Sequence, residues 1–312
     1  MPRVSVIIPT YNRADLLGDA IGSVLAQSYQ DFELIVADDG STDHTAEIMA
    51  EAIASYGSRI RYLVLPHRGQ PAAPRNSALA VATGEYISFL DSDDLYLPNK
   101  LALQVPVLDN NPTAGMVYSN GHFFSDHPNQ PTGYVQDGLP TPSGDVFADL
   151  LRGNFLTPGV VLIRRTCLES SGGFNEDPAL LVSEDYELWL RLAMQTTMLY
   201  VPGDVAAIRR HTQNISGDTL RLRSRCLYML NTLDKRYPET MAAHKNARHE
   251  AYARQHGAVA LAAWQQRKVG LTLRHGLLAA RHTVQLPGAG LPPFIEWLAR
   301  RRLRSGVNQR AE

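Results

Sequence analysis

The chain has 312 residues, 44% of them apolar, and a formal net charge of −1, enough for one large domain or a domain with an appendage. That balance gives no global reason to expect nucleic acid as a partner, and the two cysteines, Cys167 and Cys226, make neither a metal pattern nor a disulfide framework. No run approaches the ~18 consecutive apolar residues of a membrane span, and the opening MPRVSVIIPTYN lacks the apolar core of an export signal, so a cytoplasmic setting is expected and Asn214-Ile215-Ser216 reads as a chance match to a glycosylation acceptor.

Residues 4–8 are a β-branched run that Pro9 is expected to stop, a buried strand. Leu16, Leu17, Ala20, Ile21, Val24 and Leu25 then repeat as one helical face. A second strand is expected over 32–37 and a second helix over 42–54, with Ser41 or Thr42 as its cap and Ile48, Met49, Ala52 and Ile53 inward. Residues 61–65, 73–82 and 86–90 continue as strand, helix and strand. Past residue 110 the pattern loosens. Strands are expected over 116–124 and 160–164, with a Pro/Gly/Asn-rich loop over 126–142 between them. Residues 183–195 read as a helix capped by Ser183, with Leu188, Trp189 and Leu192 inward. Two more strands are expected over 198–201 and 205–209, and from about 218 onward the chain is mostly helical. Alternating strands and helices argue for a parallel sheet with helices on both faces. Ligands in such sheets bind beyond the carboxyl ends of the strands. Three of those ends are polar here: Thr10-Tyr11-Asn12, Asp38-Asp39-Gly40-Ser41 and Asp91-Ser92-Asp93-Asp94.

The last of these sets three carboxylates side by side, and like charges so close raise one another's pKa. A turn at Ser92 would aim Asp91 and Asp93 at one point, where a divalent cation with oxygen ligands could offset them. An EF-hand loop is excluded, because Tyr96 and Ala102 occupy the positions of its glycine and closing glutamate. A plainer role for Asp94 is a helix cap ahead of Pro98, and Asp39-Gly40-Ser41 has the plain reading of a turn into a helix. No G-x-G-x-x-G or G-x-x-x-x-G-K-[ST] occurs, which leaves a dinucleotide fold and a P-loop without support.

The segments VSVIIPTYNR, LIVADDGSTD, PRNSALAVATGEYISFLDSDD, GGFNE, SEDYELWLRL and RRHTQNIS occur in order over about residues 3–216. Together they resemble a family 2 glycosyltransferase with the GT-A fold, a Rossmann-like, mostly parallel α/β sheet flanked by helices. The resemblance implies a catalytic domain over 1–216, split into a nucleotide-sugar half (1–110) and an acceptor half (111–216), followed by a helical C-terminal region over 217–312. It implies that Thr10, Tyr11 and Asn12 line the nucleotide pocket, that Asp39 bonds the base, and that Arg75 lies near the nucleotide. Asp91 would reach the ribose or metal-bound water, Asp93 would ligate Mn²⁺ or Mg²⁺, and His211 would reach the metal or diphosphate. Asp185 would be the catalytic base. The implied reaction is inverting transfer of one sugar from a nucleoside-diphosphate sugar to a glycan or lipid-linked glycan, in surface polysaccharide or glycoconjugate assembly. The Q-x-x-R-W motif of processive relatives is absent.

Two other readings stay open. One is a sugar nucleotidyltransferase, disfavoured because Pro9-Thr10-Tyr11-Asn12 stands where such enzymes carry a glycine-rich loop. The other is a non-catalytic nucleotide-sugar-binding protein. In the tail, residues 291–304 (LPPFIEWLARRRLR) set Phe294, Ile295, Trp297 and Leu298 beside Arg300, Arg301, Arg302 and Arg304. That pattern suits either apolar packing on the catalytic domain with a solvated basic face or peripheral contact with the inner face of a membrane.

Overall fold

The computed structural model describes residues 1–210 and 219–286. His211, the Asn214-Ile215-Ser216 triplet and residues 291–304 lie outside the described residues. The described chain forms two compact units, one of residues 1–147 and 155–210, the other of residues 148–154 and 219–286.

The first unit runs β1 (Val4–Thr10), α1 (Ala14–Leu25), β2 (Phe32–Asp38), α2 (Thr45–Tyr56), β3 (Ile60–Val64), α3 (Ala72–Leu79), β4 (Tyr86–Phe89), β5 (Leu95–Tyr96), α4 (Lys100–Asn110), β6 (Ala114–Phe124) and β7 (Gly133–Tyr134). After α5 (Phe147–Arg152), most of which belongs to the second unit, come β8 (Val161–Arg164), α6 (Arg165–Ser171), α7 (Glu184–Ala193) and β9 (Thr197–Arg209). The nine strands of the described residues join one sheet in the order β3-β2-β1-β4-β8-β6-β9-β5, with β7 beside β6. The first four are parallel, β8 runs antiparallel between β4 and β6, and β6 and β9 are parallel. This is the expected mixed, mainly parallel α/β sheet flanked by helices.

Every residue of β1 and β2 is buried, as expected where both faces of a parallel sheet are covered. Val4, Val6 and Ile8 pack with Leu17, Ala20, Ile21 and Val24 of α1 and with Leu101, Val105 and Leu108 of α4. On the Phe89 side, that ring meets Phe174 edge-on at 5.1 Å, and Phe174 meets Trp189 of α7.

Several local expectations are corrected. Pro9 does not stop β1, which continues to Thr10. The carbonyls of Arg3 and Ile7 face β4, where they accept from Tyr86 and Leu90, whereas that of Thr10 faces β2 and accepts from Asp39. By alternation Pro9 faces the β4 side, past the last residue of that strand, so its absent N–H leaves no bond unmade. Neither Ser41 nor Thr42 caps α2, which starts three residues later after His44. Ser183 does occupy the N-cap position of α7, but its hydroxyl donates to the Leu180 carbonyl rather than accepting from the helix. Asp94 does not cap α4, whose N-cap is Asn99. The two strands expected around Pro202-Gly203 are one. Tyr118 pairs with Tyr200 and Asn120 with Asp204, so β9 fits extra residues in a bulge against β6.

The second unit consists of α8 (Thr219–Arg236), α9 (Pro238–Ala243), α10 (Lys245–Gln265) and α11 (Val269–Thr283). Arg152 of α5 joins it through Glu250 at 2.5 Å. No described helix is long and apolar enough to cross a membrane.

Candidate functional site

The carboxyl ends of β1 and β2 lie in register, Thr10 opposite Asp38. Asp38 is buried and fully used by the protein. One oxygen accepts from the Ser41 backbone (2.8 Å) and hydroxyl (2.6 Å), the other from the Tyr62 hydroxyl (2.6 Å). Asn12 ties the two strand ends together. Its N–H donates to Ser41 Oγ and its Oδ1 accepts from the Thr42 N–H, both at 2.8 Å. To do so it adopts φ +49°, a conformation asparagine tolerates better than most residues. Gly40 has φ +79°, and a Cβ there would lie 3.1 Å from the Leu65 carbonyl and the His67 nitrogen. The run Asp39-Gly40-Ser41 is therefore a specific junction and not only a turn.

Asp39 points the other way from Asp38. Its two oxygens accept from the Arg68 and Gly69 N–H groups, each at 2.8 Å, and His67 Nδ1 lies 3.0 Å from Oδ2. The His67 ring stacks on Tyr11 at 4.1 Å between centroids, with Tyr11 40% exposed. Thr10 Oγ1 is buried with no hydrogen-bond partner among the described residues. An aromatic face, a carboxylate and an orphaned hydroxyl thus meet at one corner of the sheet edge.

Across that edge, Asp91 to Asp94 form the expected turn, closed by the Asp94 N–H on the Asp91 carbonyl at 3.0 Å. The end of β9 grips it: the Arg209 N–H donates to Asp94 Oδ1 (2.8 Å) and Arg209 Nε to the Asp93 carbonyl (3.1 Å). Burial, with the charges of Asp91 and Asp93 next, holds the Asp94 pKa well above the usual carboxylate range. Arg75 in α3 is buried, 3% exposed, and forks between two carboxylates. Nη2 meets Asp91 Oδ1 at 2.5 Å and Nη1 meets Glu184 Oε1 at 3.0 Å. Arg75 Nε and Glu184 Oε2 are buried with no partner among the described residues. The PRN and SED segments, more than a hundred residues apart, are joined by this arginine.

Asp185 follows Glu184 in the first turn of α7, partly exposed, with Oδ1 accepting from the Tyr186 N–H at 2.6 Å. Its pKa is pushed up to about 7, by burial first and then by the Glu184 charge, with Arg75 and the Tyr186 N–H opposing. A carboxyl poised near neutrality can take or give a proton under working conditions. Val182, three residues earlier, has φ +67°, a strained conformation for a β-branched residue.

The loop between α6 and α7 forms the neighbouring wall. Asn76, next to Arg75, donates to the Phe174 carbonyl and Glu176 Oε1 and accepts from the Phe174 N–H. Arg68 and Gln70 also reach Glu176. Gly-Gly-Phe-Asn-Glu is thereby tied to both the Asp39 loop and α3.

Of the residues singled out by sequence, the structure brings Arg75, Asp91 and Asp185 into one electrostatic group. Asp93 lies in the adjoining turn, and Thr10, Tyr11, Asn12 and Asp39 stand at the β1–β2 corner. His211 lies outside the described residues. Sequence reasoning gave no role in the site to Glu184, which pairs with Arg75, or to His67, which stacks on Tyr11. The Glu184-Asp185 doublet was a signal for the first, whereas nothing local marks His67. Asp91 and Asp93 offer hard oxygen donors of the kind that Mg²⁺ or Mn²⁺ takes. Among the described residues no group of three or more His, Cys, Asp or Glu side chains is placed to hold a metal. Mg²⁺ held by one or two carboxylates together with substrate phosphates needs no such cage.

The family profile described as Glycosyl transferase family 2 matches residues 5–170. An uncharacterized glycosyltransferase of Rickettsia felis is 35% identical over 196 residues, 61% of this chain and 31% of that protein. One from Haemophilus influenzae is 38% identical over 171 residues, 54% of this chain and 65% of its own length. The chain thus spans about a third of the first relative's length and about two-thirds of the second's. Among solved structures, residues 1–349 of S. aureus TarS in complex with UDP-GlcNAc align with a TM-score of 0.66 at 18% identity, covering 92% of this chain and 84% of that one. The mannosyltransferase PcManGT from Pyrobaculum calidifontis, in complex with GDP-Man and Mn²⁺, aligns with a TM-score of 0.64 at 21% identity, covering 97% and 80%. These likenesses are of fold.

Proposed function

Because the chain belongs to glycosyl transferase family 2, we propose that it moves a single sugar from a nucleoside-diphosphate sugar to a hydroxyl of a glycan or lipid-linked glycan, with inversion, in assembly of a surface polysaccharide or glycoconjugate. The observation that carries this reading is Asp185, lifted towards neutrality at the start of α7 beside the Arg75–Asp91–Glu184 group. Asp185 takes the proton of the acceptor hydroxyl. The acceptor oxygen forms its bond to the anomeric carbon while the bond from that carbon to the diphosphate oxygen breaks. The electron pair leaves with the nucleoside diphosphate. One base and one displacement give inversion.

Arg75 holds Asp91 and Glu184 in place, and Asp91 faces the donor's ribose. Tyr11 and Asp39 receive the base, with His67 backing the Tyr11 ring. A divalent ion held by Asp93 would offset the charge that develops on the diphosphate. The fit rests on the carboxylate turn and on the match to a Mn²⁺-bound structure of similar fold.

The test is a panel of nucleoside-diphosphate sugars with Mn²⁺ or Mg²⁺, with and without a chelator, following release of nucleoside diphosphate. We expect one donor to be turned over in a metal-dependent way, and Asp93→Ala to lose that turnover while its circular dichroism stays native. Full activity of Asp93→Ala in chelator would remove the metal from the reading. Release of nucleoside triphosphate and sugar 1-phosphate on addition of pyrophosphate would favour a nucleotidyltransferase, and binding without turnover a binding protein.

A further inference from the structure

Helix α11 presents an exposed apolar stripe. Val269 is 57% exposed, Leu273 63%, Leu277 73%, and Val284, at the helix end, 74%. At 3.6 residues per turn these four fall within about 80° of one another. Thr272, Gly276, Ala279 and Thr283 form the neighbouring buried face. Trp264, at the end of α10, is 42% exposed. A contiguous uncovered apolar surface of this kind marks an interaction site more often than chance exposure does.

The charges around the stripe say what covers it. Arg267, Lys268, Arg274 and Arg281 are all exposed, and none forms an ion pair with a described acidic side chain. Arg274 and Arg281 line one side of the stripe, and Arg267 and Lys268 stand at its start. The sequence holds no Asp or Glu from 251 to 295, although the chain has 31 acidic residues in 312, about one in ten. Forty-five residues without an acid is a depletion the average composition does not explain.

We propose that this face of α11 docks on a bilayer surface rich in anionic lipid. Leu273, Leu277 and Val284 enter the boundary between headgroups and acyl chains. Arg267, Lys268, Arg274 and Arg281 meet lipid phosphates, and Trp264 sits at headgroup level. A second copy of the chain is the less suited occupant. A two-fold pairing of stripes sets the same cations against one another, and α11 carries no carboxylate to offset them. The surface is separate from residues 291–304, which lie outside the described residues. Docking extends the proposed transfer to an acceptor carried on a lipid, but its test uses neither donor nor acceptor, so the two readings fail independently.

The experiment is co-sedimentation of the full chain with vesicles of phosphatidylcholine alone and with about 30% phosphatidylglycerol, at low and physiological salt. The full chain should bind the anionic vesicles, bind neutral ones weakly, and weaken as salt rises. Leu273→Glu/Leu277→Glu should lower the partition coefficient at least tenfold with unchanged circular dichroism, and Leu273→Ala/Leu277→Ala should lower it less. Arg274→Gln/Arg281→Gln should remove much of the salt dependence. Either stripe variant partitioning like the unaltered chain overturns the proposal and leaves residues 291–304 or another surface as the lipid contact. Failure of the unaltered chain to bind anionic vesicles also overturns it. So does a dimer in solution that Leu273→Glu/Leu277→Glu converts to monomer.

Discussion

Asp185 has two carboxylate neighbours that oppose its ionisation, Glu184 and Asp91, while Arg75 and the Tyr186 N–H favour it. As a base it works deprotonated, so turnover should rise with pH through a midpoint near 7. Glu184→Gln removes the nearer charge and should move that acidic limb of kcat/KM to lower pH. A limb that stays in place would mean that another group titrates. Asp185→Asn should cost a factor of at least ~10² in rate with donor affinity by calorimetry nearly unchanged. The same shift has a stability side. Between about pH 4 and 7 the folded chain keeps a proton that the unfolded chain has released, so this contribution is full below that window and is lost as pH rises through 7. Asp39 combines two tasks, since the backbone of residues 68 and 69 hangs on its oxygens. Asp39→Ala should weaken nucleotide binding by the roughly 1.5–3 kcal/mol of a charge-assisted hydrogen bond and speed amide exchange at Arg68 and Gly69. Faster exchange with equal affinity would make Asp39 a loop anchor alone.

Helix α7 carries the candidate base at one end and a buried ion pair in its middle. Arg191 Nε donates to both Glu187 oxygens at 2.8 and 2.9 Å, and its Nη1 and Nη2 donate to the Ser171 and Gly173 carbonyls. The pair therefore fastens α7 to the loop that forms the site's wall. Arg191→Met strands a buried carboxylate and frees two carbonyls, which should cost about 3–5 kcal/mol in urea unfolding. Glu187→Leu/Arg191→Met should recover a large part of that loss, because the stranded charge is gone. Equal stability of the single and double variants would show that the loop contacts carry the cost.

At the scale of the whole molecule, the second unit carries a pH dependence of its own. His249 and His256 on α10 face His282 and His275 on α11, with Nδ1 atoms 3.0 and 2.9 Å apart. A hydrogen bond between two Nδ1 atoms needs one of them bare, so at most one ring of each pair can be charged. Burial first, then neighbouring cationic groups, push His256 and His282 down to about 4, and His249 and His275 are lowered too. The unfolded chain therefore binds more protons than the folded one between about pH 6.5 and 4. Stability from this group is present above that window and is lost as pH falls through it. The urea midpoint should drop across this range, and less in His256→Gln/His282→Gln. Parallel curves for the two proteins would refute the assignment.

The alternation of strands and helices, the polar strand ends and the carboxylate turn were all legible in the sequence, because period and residue type act locally. So was the pairing of Tyr11 and Asn12 with the Asp39 segment as parts of one edge, since parallel strands of similar length bring their ends together. The continuous β9 was not legible, because a Pro-Gly pair reads as a turn wherever a neighbouring strand is unknown. Pro9 misled for a related reason: whether its absent N–H matters depends on which strand lies beside it. Arg75 and Glu184 lie 109 residues apart, and His67 meets Tyr11 across 56. No local pattern encodes such meetings, which exist only once β1, β2 and β4 stand in register and α7 packs on Phe174. The sequence by itself determined which chemical groups the site could use. The tertiary structure decided which carboxylates receive a cation, which are left to repel one another, and therefore which one stands near neutral pKa.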